Sequence, residues 1–180
     1  MKRFDDLGDF AARFVGCTLP REEWTHAAHL AVGAWHVHRY GADEALARLR
    51  TGIRRLNERH GTVNSATSGY HETVTRAYVR LLSQFLAACP ASLPLTARVE
   101  RLLGGPLADR SVLMRFYSRD ALMSERARAG WVEPDIASIE LAAVHASLDA
   151  YLDKYEKDRQ ARQNGFAFKD RVDRLDPKKL

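Results

Sequence analysis

Six of the seven histidines (His26, His29, His36, His38, His60 and His71) precede residue 72 of a 180-residue chain, and only His145 lies beyond. Imidazole is the commonest transition-metal ligand and a frequent general base, so this clustering asks for a chemical explanation. The run Arg21-Glu22-Glu23-Trp24-Thr25-His26-Ala27-Ala28-His29-Leu30 reads as the opening of a helix that continues to Tyr40. At about 100° per residue, Glu22, His26, His29 and His36 share a sector of roughly 80°, and Gly33 leaves space among them. Glu23 and His26 form a Glu-x-x-His pair, the spacing by which carboxylate di-metal bundles aim both groups inward.

A second helix opens with Gly69-Tyr70-His71-Glu72-Thr73-Val74-Thr75. His71-Glu72 matches the first half of the zincin HExxH pattern, but Thr75 stands where the second histidine belongs. Packed beside the first helix, it would bring His71 to His26 and His29 as a third nitrogen ligand, with Glu22 completing the shell. Three protein ligands with an open position is the arrangement of a catalytic metal. The expectation is a divalent transition metal (iron, zinc or manganese) on His26, His29, His71 and Glu22. Glu72, Glu23 and Tyr70 are the candidate proton-transfer groups, and Arg119 and Asn64 the candidate substrate contacts. The function that follows is a metal-dependent enzyme, hydrolytic or oxidative, acting on a small molecule. His36, His38, His60 and His145 read as hydrogen-bonded core or surface residues.

The elements that must position these groups are helical throughout, with no period-two strand pattern. Helices are expected over about Lys2–Phe14, Arg21–Tyr40, Asp43–His60, Tyr70–Ala88 and Thr96–Leu103. Two short ones should flank Tyr117-Ser118. A long helix, N-capped by Asp135, should run from Ile136 to Arg162. Gly61 to Gly69 is a polar loop of small residues. The sum is a single all-α domain, a helical bundle of six to eight helices over residues 1–162, followed by a charged tail over 163–180.

Composition bounds the rest. The chain is 46% hydrophobic with two cysteines, Cys17 and Cys89. This excludes a disordered chain and a disulfide framework. No apolar run is long enough for a membrane span and the start lacks a secretory apolar region, so a cytoplasmic protein is expected. The net charge is +5. Nine Lys/Arg and six Asp/Glu lie between Ala150 and Leu180, so most of the excess sits in the tail. There the signs alternate, as on a solvated helix, rather than gathering into a nucleic-acid face. Arg119, Arg126 and Arg128 read as partners of Asp120, Glu125, Glu133 and Asp135. The competing function is a non-enzymatic helical module that holds an acidic partner or nucleic acid through this region or the tail.

Leu19-Pro20, Trp24-Thr25-His26-x-x-His29-Leu30, Gly69-Tyr70-His71-Glu72-Thr73, Tyr117-Ser118-Arg119 and Trp131-Val132-Glu133-Pro134-Asp135 together resemble a family of small, largely uncharacterised bacterial all-helical proteins. The resemblance spans about Phe14 to Asp135. It implies that these strings matter to the fold or the site, and it implies no reaction.

Overall fold

The structure, a computed structural model, describes residues 6–144. The start of the helix expected at Lys2, His145, most of the expected Ile136–Arg162 helix and the 163–180 tail lie outside the described residues. The described residues fall within one compact unit, Met1–Val144. Among them every regular element is a helix: α1 Leu7–Val15, α2 His26–Tyr40, α3 Ala42–Arg59, α4 Glu72–Ala88, α5 Leu95–Gly104, α6 Arg119–Leu122, α7 Glu125–Ala129 and α8 Leu141–Val144. Two 3-10 turns, Pro106–Ala108 and Val112–Arg115, link α5 to α6. The expected all-α bundle is the observed fold.

The bundle is built around α2, which packs against α1, α3, α4 and α5. Its sequence explains this. α2 has no acidic residue and buries Ala28, Leu30, Ala31, Val32, Gly33, Ala34, His36 and Val37. A helix that is apolar around most of its circumference belongs in the middle of a core. The small residues let neighbours approach closely, and a Cβ on Gly33 would stand 2.8 Å from Leu82 Cδ1 of α4. α3 and α4 instead carry one apolar face each, with Ala45, Leu49 and Leu56 or Ala77, Leu81, Leu82 and Phe85 turned inward.

Three expected boundaries move, and each move has a local cause. α2 starts at His26 rather than Arg21, because Thr25 is extended (φ −88°, ψ 172°) and its hydroxyl accepts from Ala28 N at 3.3 Å. Residues 21–23 form a turn closed by Glu23 N on the Pro20 carbonyl. α4 starts at Glu72, with the His71 imidazole as its N-cap. Asp135 does not cap a helix at Ile136. Its carboxylate accepts from Ser118 N at 2.8 Å, and the chain stays non-helical until Leu141. Among the described residues no helix is long and apolar enough to cross a membrane.

Candidate functional site

A cavity of about 440 Å³ lies between α2, α3 and α4. Its walls are mostly apolar, with Leu30, Leu49, Ile53, Val74, Val79 and Leu82 among them. The polar groups come chiefly from the first turn of α2 (Thr25, His26 and His29), with Trp24 before it. Thr75 and Tyr78 from α4, and Arg110 between the two 3-10 turns, complete the lining. A half-open, mainly apolar cleft with a few convergent polar groups is a usual form of a small-molecule site.

The capping of α2 at Thr25 decides which imidazoles reach this space. Residues three apart on a helix are surface neighbours, so His26 and His29 project to the same side. His29 Nδ1 lies 2.8 Å from the Thr25 carbonyl. A carbonyl only accepts, so Nδ1 carries the proton, and in the neutral ring Nε2 keeps its lone pair. The His29 ring stacks at a tilt on Trp24, with centroids 3.9 Å apart. It is exposed in surface area, but that surface lines a concave wall surrounded by protein. Desolvation there pushes its pKa down to about 4, against the Thr25 hydrogen bond, and the neighbouring His26 adds to the fall. His26 is also held below the ordinary histidine range, first by burial and then by the Arg110 charge. Its Nε2 is buried and has no hydrogen-bond partner, and the same is true of Trp24 Nε1. Tyr78, edge-on to His26 at 5.7 Å, has its phenol pushed up to about 12 by burial. At neutral pH the cavity therefore holds two uncharged imidazoles and an uncharged phenol.

The other candidate residues are engaged elsewhere. His71 uses both ring nitrogens: Nδ1 accepts from Val74 N at 3.3 Å, and Nε2 lies 2.9 Å from the Leu122 carbonyl. Glu22 is exposed in the turn before α2. Glu23 pairs with Arg13 at 3.0 Å. The carboxylate of Glu72 accepts from Arg50 at 2.6 and 2.8 Å and from the Tyr70 hydroxyl at 2.9 Å. Arg50 holds its pKa below the usual range, and these hydrogen bonds take up both carboxylate oxygens. None of these five residues lines the cavity.

Asn64 closes the polar loop, accepting from Asn57 Nδ2 and Tyr70 N and donating to the Arg54 carbonyl. Arg119 and Arg126 are exposed, and Arg128 donates to the carbonyls of Gly69 and Tyr70. The expected pairing of these arginines with local acids is replaced by other contacts. Asp135 holds Ser118, and Glu133 accepts from Trp131 Nε1 at 2.6 Å. His36 and His60 are core and bridging residues as expected, with His36 Nδ1 on the Val32 carbonyl and His60 Nε2 on the Leu19 carbonyl.

Two of the four expected metal ligands, His26 and His29, thus meet at one site, and His71 and Glu22 do not join them. Among the described residues no group of three or more His, Cys, Asp or Glu is placed to hold a metal ion. A metal bound here would have two protein nitrogens, one fewer than open catalytic sites supply, unless α4 gave up its cap. The cavity residues that spacing did not single out are Trp24, Tyr78 and Arg110. Tyr78 shows in sequence only as part of the inward stripe of α4, and nothing local marks Arg110. No family model, curated protein or solved structure matches the chain.

Proposed function

We propose that the protein is an enzyme that acts by proton transfer on a small, largely apolar molecule held in the α2–α3–α4 cavity. His29 Nε2 is the proton acceptor, with His26 as the second imidazole. The observation that supports this reading is the pair of neutral imidazoles in a mainly apolar, half-open cavity, one with its free nitrogen fixed by the Thr25 carbonyl. The neutral ring keeps its Nε2 lone pair available at pH 7. Because a pKa of about 4 makes it a weaker base than ordinary imidazole, the transfer relies on the Thr25 contact, which stabilises the ring once it is charged. Tyr78, uncharged to about 12, supplies a hydroxyl able to donate to negative charge developing on the molecule.

The test uses the full chain in D2O with a panel of small carbonyl compounds, first screened for NMR shifts of the Trp24 indole and His29 ring signals. Bound compounds are expected to take up deuterium at carbon, with the rate falling about 100-fold or more in His29→Gln. Binding without exchange across the panel, or exchange untouched by His29→Gln, overturns the proposal.

A further inference from the structure

Arg110 is the one charged side chain of the cavity lining, because both histidines there are neutral at pH 7. Several other arginines of the described residues are engaged by side chains of their own. Arg13, Arg48, Arg50 and Arg80 sit in ion pairs, while Arg54 and Arg76 lie over the rings of Tyr70 and Trp131. Arg110 makes no hydrogen bond or ion pair with any described residue. Its neighbour Asp109 makes no ion pair with it: that carboxylate accepts from Ser111 N at 2.8 Å and from Ser111 Oγ at 2.7 Å, and its charge acts on His26 in the sense opposite to that of Arg110. Arg110 is an exposed side chain that also lines the cavity, so its guanidinium is available to an anion bound there.

The position of this charge says more. Arg110 acts electrostatically on His26, so the two approach the same end of the cavity, where His26 Nε2 has no partner. The α2 N-terminus is at that end too, and its first turn contains no acidic residue. Opposite stand the apolar walls of Leu30, Leu49, Ile53 and Leu82. One cation and two neutral rings in the lining suit a single negative charge, and the Asp109 carboxylate beside them opposes a second.

We propose that the cavity takes a monocarboxylic acid with an apolar body, its carboxylate held by Arg110 beside His26 and its body against the α3 and α4 walls. This rests on the cavity being the site, and it names the class of molecule bound there.

The experiment titrates the full chain with octanoate and 3-phenylpropanoate, with their primary amides, and with octyl phosphate. Binding is followed by calorimetry and by the Trp24 and His29 NMR signals. The expected result is that the carboxylates bind about tenfold or more tightly than the amides. Arg110→Gln should remove that preference while leaving amide binding as it was. Amides binding as well as carboxylates, or octyl phosphate binding best, or Arg110→Gln without effect, overturns the carboxylate assignment and leaves the cavity reading standing. No cavity signal moving with any compound overturns both.

Discussion

At the scale of single residues, the chemistry of the cavity depends on one tautomer. The Thr25 carbonyl fixes the proton of His29 on Nδ1, which leaves Nε2 free to accept. With a pKa of about 4, the ring should stay neutral across the physiological range and begin to charge only well below the ordinary histidine midpoint. Ring NMR of the full chain is expected to show a His29 midpoint near 4 and a neutral Nδ1–H form at pH 7. A midpoint near 6.5 would mean that the cavity wall does not desolvate the ring. The spacing of His26 and His29 made their shared direction legible in the sequence, because helix periodicity is enough to place residues three apart on one face. The roles of His71 and Glu72 were not legible. Their types fit ligand and base, but what they do depends on partners 51 and 22 positions away, Leu122 and Arg50. Arg110 was hidden for the same reason, since a loop far along the chain brings it to the wall.

At the scale of elements, the beginnings of α2 and α4 decide the site. Periodicity predicted both helices and most of their inward faces, and missed the first residues by five positions in α2 and two in α4. In α2 the shift cancels the expected sector: Glu22 and Glu23 precede the cap, so helix geometry does not apply to them. In α4 it turns His71 from an inward ligand into a cap. Imidazole is an uncommon cap beside Ser, Thr, Asp and Asn, so sequence gives little warning of it. The strings Gly69–Thr73, Tyr117–Arg119 and Trp131–Asp135 then lock together. Thr73 Oγ1 donates to the Gly130 carbonyl and accepts from Val132 N, and the Tyr117 hydroxyl donates to the Val132 carbonyl. These motif residues anchor the α4 start to the α6–α7 segment, while Trp24–Leu30 builds the cavity. His71→Ala should therefore lower stability by about 0.5–2 kcal/mol, with His71→Ser recovering part of that through its hydroxyl cap. Zinc affinity, followed by the His26 and His29 ring signals, should be the same in wild type and His71→Ser. A tenfold loss of zinc affinity in His71→Ser would restore the three-histidine ligand set.

At the scale of the whole molecule, the histidines tie the fold to pH. His26, His29, His36 and His71 all have their pKa values lowered, with burial the leading cause in each case. Each sits at a different junction: His26 and His29 at the cavity, His36 among the rings of Phe14, Trp35 and Tyr40, and His71 between α4 and α6. In the unfolded chain these imidazoles bind protons near the ordinary value of about 6.5, while the folded chain resists binding them. Between the two values the unfolded state holds more protons, so stability rises with pH there. The stabilisation is complete above about 6.5 and drains away as pH falls toward the lowered values, the last to go being that of His29 near 4. Glu72, Asp109 and Asp135, whose pKa values are also lowered, act in the same direction but in a lower window, below the ordinary carboxylate range. Two phases should therefore appear when unfolding free energy is measured by urea titration from pH 8 to 3. A plateau above about 6.5 should give way to a decline between 6.5 and 4.5 whose slope exceeds that of one proton, then to a further decline as the carboxylates protonate. Replacing His36 by Phe removes one imidazole from the first phase without touching the cavity, so its slope should fall by about one proton while the second phase keeps its form. A curve flat from pH 7 to 5 would mean that the imidazoles titrate alike in both states and that the interior described here does not exclude their charge.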